Sequence, residues 1–206
     1  MLKIWGRNTS INVQKVMWAI GELGIPHERI DVGGAFGRTK DPFYLAMNPN
    51  SLVPTLEEDD GFTLWESNSI VRYLAAKHGA GTLWPADLRQ RADSDRWMDW
   101  TYTFQASLRT VFWGLVRTPP EKRDMKAIDE ARAKCAELLA IPDGYLSNRP
   151  FFAGNSLTIG DIPLGCHVHL WMRLPIARPA HANLERWFDR LCARPAYKKI
   201  VDIPLS

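Results

Sequence analysis

Cysteine is scarce. Cys135, Cys166 and Cys192 are too few and too scattered for a disulfide framework, and none stands in the CxxC spacing that opens a zinc site. The three are read as reduced core thiols, and no metal is expected; His167 and His169, two apart and so on different helix faces, do not change that. Long apolar runs are missing too. No stretch reaches the roughly 18 residues of a membrane span, and the opening MLKIWGRNTS lacks the apolar core of a secretory signal. A cytoplasmic chain with no membrane association is therefore expected. Nor is there an excess of one charge: the net value of +3 falls short of the basic stripe that nucleic-acid binding needs. No nucleic-acid partner is expected, while a small anionic ligand remains compatible. What is present, 46% hydrophobic and 24% charged residues over 206 positions, can bury one large core or two small ones.

The texture of the chain changes near GAGTLWPADLRQ, a stretch of small residues, Gly and Pro without periodicity. This predicts a first domain over 1–79, a linker over 80–90 and a second domain over 91–206. In the first, short apolar segments at 2–5, 27–32, 55–58 and 62–65 alternate with helical patterns, in the order β-α-β and then β-β-α. A helix is expected from about Asn12 to Leu23, with Val13, Val16, Met17, Ile20 and Leu23 on its buried face and Gly24 ending it. A second is expected after FTLW, with Ile70, Val71, Leu74 and Ala75 inward. The second domain reads as all-α, broken at Thr118-Pro119-Pro120, Ile141-Pro142-Asp143-Gly144 and Asn148-Arg149-Pro150. Within it, Leu157-Thr-Ile-Gly-Asp-Ile162 has the form of a capping box, Thr158 as N-cap and Asp161 at the third helical position, with Leu157 and Ile162 as a staple. Pro163 would then lie beyond the helix entry and kink it.

Two segments carry chemistry. The first is NPNSLVPTLE (48–57), followed after the acidic turn by FTLWESNSIVRYL (62–74). Glu66-Ser67 opens a helix, whose unsatisfied N–H groups and positive dipole end suit an anion; the same two residues could equally be plain caps, and Pro54 an edge-strand proline. The second is GRNTSINVQKV (6–16), a polar loop emptying into the first helix. Asn8, Thr9, Ser10 and Asn12 are all residues that favour N-cap positions.

Together these segments resemble the cytosolic glutathione transferases, whose serine-type, theta-like bacterial branch is nearest. The resemblance covers the whole chain and implies an α/β plus all-α architecture: a thioredoxin-like N-terminal domain, a short linker and an all-helical C-terminal domain. It implies glutathione as co-substrate. In the family the proline corresponding to Pro54 follows a cis bond, Val53 holds the cysteinyl backbone, and Glu66 and Ser67 take the γ-glutamyl group; Asn50 is added to this set by the same likeness. Aligning Lys15-Val16 on the bacterial members puts Ser10 at the catalytic Ser/Thr position, with Asn12 as a second polar donor and Thr9 as the neighbour that replaces Ser10 if the register slips.

The early loop has neither tyrosine nor cysteine, which argues against the alpha, mu and pi types and against omega-type thiol transfer. In GGAFGRTK (33–40), Arg38 and Lys40 could meet the glycyl carboxylate, although loop charges are commonly just solvated. The family builds its electrophile pocket from the helix expected over 89–117, which makes Tyr102, Phe104, Arg109 and Trp113 its candidates here, with structural core as the competing role. A homodimer is implied in the same way. Two alternatives stay open: a disulfide reductase or dehalogenase of the same family, and a non-catalytic transferase-like interaction module. The Ser-Ser-Cys opening of the maleylacetoacetate isomerase group is absent.

Overall fold

Leu2–Trp5, Ile11–Leu23 and His27–Ile30 form β1, α1 and β2, so that β1 and β2 lie parallel across a helical crossover. The structure, a computed structural model, describes residues 1–205. Thr55–Glu57 (β3) returns antiparallel to β1, and Thr63–Trp65 (β4) pairs antiparallel with β3, giving the sheet order β2-β1-β3-β4. Ser67–His78 follows as a helix that packs against α1. Between β2 and β3 the chain also makes a 3-10 turn at Gly34–Phe36 and a short helix, Pro42–Met47, which we number α2, so that Ser67–His78 is α3. Neither was legible as an element: the turn is glycine-rich and α2 is less than two turns long. Asp41 and Pro42 begin α2, the proline sitting where its missing N–H costs nothing.

Ile4, Leu56, Val16, Ile20, Ile70, Val71 and Leu74 are fully buried and make the core of this unit. The buried face of α1 differs from the one expected. Val13, Val16 and Ile20 are on it, but Met17 and Leu23 are only half-buried, while Trp18, Gln14 and Lys15 are buried. Gly24 closes α1 at φ 64°, a left-handed conformation that glycine adopts without strain.

The chain divides into two compact units between Trp84 and Pro85. The second is helical: α4 (Leu88–Phe112), α5 (Met125–Tyr145), α6 (Asp161–Arg173), α7 (Ala182–Cys192) and α8 (Pro195–Ile200). Helix α4 packs on both α5 and α6. The N-terminal carboxylates Asp87 and Asp124 cap α4 and α5 through the amides of Gln90 and Ala127. The residues Trp113–Arg117 continue α4 as a π-helical turn before Pro119 and Pro120 end it. Among the described residues no helix is long and apolar enough to cross a membrane.

Two expectations about this unit are corrected. Helix α5 does not break at Pro142 but runs through it to Tyr145. A proline so near the C-terminal end forfeits one hydrogen bond with little helix left to disrupt, and the next residue, Asp143, accepts the amides of Asn183 and Leu184 at 2.8 and 2.9 Å, tying the end of α5 to the start of α7. The second correction concerns α6, which begins at Asp161 rather than just after Thr158. Asp161 still reaches back to the Thr158 amide at 2.9 Å, but the Thr158 hydroxyl donates to that carboxylate at 3.3 Å instead of accepting a helix N–H. Pro163 therefore lies in the first turn, where no N–H is needed, and the kink it would have caused has no reason to form.

Candidate functional site

One cleft in the first unit draws together six of the candidates singled out above, and Ser10 is not among its lining residues. Its walls are Asn12 from α1, Asn50, Val53 and Pro54 from the segment before β3, and Glu66 and Ser67 at the start of α3; Asn48, Leu52 and Trp65 complete it. The Val53-Pro54 bond is cis.

The segment before β3 is held from beneath by a buried polar knot. Asn48, at the end of α2, donates to the Leu52 carbonyl at 2.9 Å and to Thr55 Oγ1 at 3.0 Å, while its own carbonyl accepts the Asn50 amide at 3.1 Å. The Tyr44 hydroxyl donates to the same Leu52 carbonyl at 2.6 Å and meets Thr55 Oγ1 at 2.9 Å. Burial pushes the Tyr44 phenol up, which keeps it a donor. Satisfied in this way, buried polar groups specify one arrangement of the loop, and that arrangement sets Asn50, Leu52 and Val53 along the cleft.

The opposite wall is the N-terminus of α3. Glu66 is its N-cap residue at φ 71°, a positive value that a side chain with a Cβ adopts only under strain, and its carboxylate makes no capping bond. The carboxylate is exposed at the rim while Ser67 beside it is nearly buried. The helix end thus presents N–H groups and the positive end of its dipole to the cleft, with an acid alongside. Asn12 joins the walls: its Oδ1 accepts from Ser67 Oγ at 3.4 Å and from the ammonium of Lys15 at 3.0 Å.

Ser10 is the N-cap residue of α1, two residues before Asn12, and its hydroxyl makes no capping bond. Capping therefore does not account for that hydroxyl. Thr9 precedes it in the same loop. Arg38 and Lys40 do not line the cleft: Arg38 pairs with Asp41 at 3.6 Å and lies over the Phe43 ring at 4.8 Å, and Lys40 is exposed. In the second unit, Phe104 is fully buried against Trp171 with ring centroids 6.4 Å apart, which places it in the core rather than on a pocket wall. Tyr102 and Trp113 are about half exposed, and the Arg109 guanidinium lies 5.5 Å from the Trp113 ring centre. No group of three or more His, Cys, Asp or Glu side chains converges on a metal-sized site among the described residues.

Residues 9–77 match the family model described as glutathione S-transferase, N-terminal domain, and residues 104–195 match glutathione S-transferase, C-terminal domain. The chain belongs to the glutathione transferase family. Among its relatives, glutathione S-transferase GstB of Escherichia coli strain K12 is 43% identical, the alignment covering all of both chains. Glutathione S-transferase F12 of Arabidopsis thaliana is 30% identical over 98% of this chain and 97% of its own length. Among solved structures, the theta class glutathione S-transferase of Xanthomonas axonopodis pv. citri with glutathione bound superposes with a TM-score of 0.95 at 46% identity, covering 100% of this chain and 99% of that one. The first unit is accordingly the thioredoxin-like half of a glutathione transferase and the second its all-helical half.

Three features of this transferase's cleft were missed in the sequence. Asn48 and Tyr44 matter through bonds to a loop that bends back on them, and only the density of polar residues in NPNSLVP hinted at it. Lys15 served above merely to align α1 on its relatives, whereas in the fold it is buried and bonded to Asn12. A lysine among the apolar positions of an amphipathic helix was the available signal.

Proposed function

We propose that this transferase binds glutathione in the cleft between Val53-Pro54 and the N-terminus of α3, and activates its thiol for attack on a small electrophile. The observation that carries the reading is the pairing of an edge segment, locked by Asn48 and Tyr44, with a helix N-terminus that no side chain caps. An extended peptide laid along Val53 exchanges backbone hydrogen bonds with that edge, as strand-adding ligands do. Its γ-glutamyl carboxylate meets the N–H groups of α3 near Ser67, and its ammonium meets the Glu66 carboxylate. Asn50 flanks the same path.

Ser10 donates its hydroxyl to the glutathione sulfur in this reading, supported by the absence of any capping bond that would occupy it. A free thiol titrates near about 8.5 and is mostly protonated at neutral pH, so a donor that favours the anion increases the reactive fraction. The thiolate then forms a bond to the electrophilic carbon as the leaving group departs with the electron pair; the protein contributes position and electrostatics. Tyr102, Arg109 and Trp113, exposed on α4 and its π-helical end, supply the surface for the electrophile. A homodimer in the cytoplasm accords with the usual organisation of the family.

The test is an ultraviolet titration of glutathione on the purified protein, following thiolate absorbance against pH. A bound thiol that titrates well below its free value, and climbs back in Ser10→Ala, supports the reading. No binding of glutathione removes it and favours an interaction module on the same fold.

A further inference from the structure

Lys15 is 1% exposed. An ammonium so buried is costly unless strong acceptors surround it, and one it finds is Asn12 Oδ1, at 3.0 Å. That oxygen also accepts from Ser67 Oγ, at 3.4 Å, across from α1 to α3. The consequence lies in the other half of the carboxamide. Oxygen and nitrogen of an asparagine are alike in size, and the network decides which way the group points. A lysine has donors only. The Asn12 atom that faces Lys15 must therefore be the oxygen, and Nδ2 is left without a hydrogen bond of its own among the described residues, on a side chain that lines the cleft.

We propose that Lys15 is a positioning residue that locks the Asn12 carboxamide so that it offers only N–H to an anionic group of bound glutathione. The proposal rests on the cleft being the glutathione site. Without the ammonium, only Ser67 Oγ touches that side of the carboxamide, and it can accept as well as donate; once the flipped amide outnumbers the competent one about ninefold in the unbound protein, affinity falls about tenfold. The pairing also spans the two helices that form the site, because the oxygen held by Lys15 on α1 is the one that orients Ser67 on α3. A buried helix lysine thus acts on the ligand through one intermediary.

A double-mutant cycle on glutathione affinity, measured by calorimetry with the intact protein, separates this from a general role in folding. Lys15→Met, which keeps the unbranched stem at one atom shorter and removes the charge, should weaken glutathione binding about tenfold, as should Asn12→Ala. The double variant should be within about twofold of Asn12→Ala alone, because Lys15 has nothing left to position. Additive losses of about a hundredfold, or unchanged affinity in Lys15→Met, overturn the proposal while leaving the cleft assignment intact; no binding by the unaltered protein overturns both. Asn12→Asp keeps Lys15 in place and needs no change in the buried position. It preserves an oxygen for Lys15 and Ser67 but replaces the Nδ2 donor with a second oxygen, so it should bind glutathione less tightly than Asn12→Ala does. Affinity at or above the unaltered level in Asn12→Asp refutes the donor orientation even if Lys15→Met does not fold.

Discussion

The Trp187 indole N–H donates to the Asp161 carboxylate at 2.8 Å inside the helical unit. Asp161 is fully buried and also receives the amides of Phe152 and Thr158, at 3.2 and 2.9 Å. It ties α6, α7 and the segment before α6 to one group. Burial pushes its carboxyl up from 3.8 to about 6, while the donors from Thr158, Trp187 and Phe152 oppose that rise.

The sign of the pH dependence follows. Between about pH 4 and 6 the folded protein holds a proton on Asp161 that the unfolded chain has released, so this group's contribution to stability is complete at about pH 4 and falls as pH rises through 6. The full change is on the order of 3 kcal/mol. Urea unfolding of the protein and of Asp161→Asn across this range should show the loss in the first and not in the second. Identical profiles would mean that the carboxyl does not titrate there. Asp161→Ala should cost more than Asp161→Asn at every pH, roughly 3 kcal/mol, because four buried donors, the amides of Phe152 and Thr158, the Thr158 hydroxyl and the Trp187 indole, lose their acceptor at once.

Ser10→Ala separates a capping serine from a chemical one. A serine whose hydroxyl caps its helix loses about 1 kcal/mol on truncation, but the Ser10 hydroxyl makes no such bond. Stability should change by less than about 0.5 kcal/mol, glutathione affinity should stay within a few-fold, and turnover should fall by roughly tenfold to a hundredfold. Thermal unfolding, calorimetry and a conjugation assay on the same preparation check the three parts. A stability loss near 1 kcal/mol with unchanged turnover would return Ser10 to the role of a cap and direct attention to Thr9.

Glu66 holds a strained backbone and an uncommitted carboxylate at the same position, with φ at 71°. Strain of this kind persists where function requires it. Glu66→Gly should hold or raise stability, by up to about 1 kcal/mol, since glycine tolerates positive φ. Glutathione binding should weaken at least tenfold, because the partner for its ammonium is gone. Glu66→Gln, which keeps the strain and loses the charge, should weaken binding without the gain in stability. Equal affinity in all three proteins would exclude Glu66 from the site.

The order of strands and helices was readable because each element carries its own period: Val13, Val16 and Ile20 recur at helical spacing, and LKIW and FTLW are short β-prone runs between breakers. The two wall segments of the cleft were readable only through the likeness to glutathione transferases, which works here because Val53-Pro54 and Glu66-Ser67 each lie within one contiguous stretch; taken locally they read equally as an edge proline and a helix cap. What failed depended on partners distant in sequence. Pro142 looked like a break until Asp143 was seen to hold the amides of Asn183 and Leu184, and Lys15 looked like one more helix residue until it and Ser67 were seen to converge on Asn12 Oδ1. Arg38, expected from its glycine loop to meet a carboxylate, pairs in the fold with Asp41 and lies over the Phe43 ring.

Glycines offer the sharpest test of packing, because two of them are constrained for opposite reasons. Gly160, just before α6, has ordinary helical φ and ψ, so no conformational freedom is being used there. A Cβ at this position would stand 2.6 Å from the Ser94 carbonyl oxygen of α4, closer than nonbonded atoms approach, and the obstacle is backbone rather than a side chain able to swing away. Gly24 is the reverse: its φ of 64° is left-handed, and nothing lies within 4 Å of a Cβ added to it. Gly24→Ala should therefore cost only the conformational term, about 1 kcal/mol. Gly160→Ala must part α4 from the start of α6 and should cost roughly 2 to 3 kcal/mol. It should also disturb the Asp161 donors next door, visible as a change in Trp187 fluorescence that Gly24→Ala does not produce. Equal losses in the two variants would mean that α4 and α6 have room to separate, and that the close approach at Ser94 does not determine how the helical unit packs.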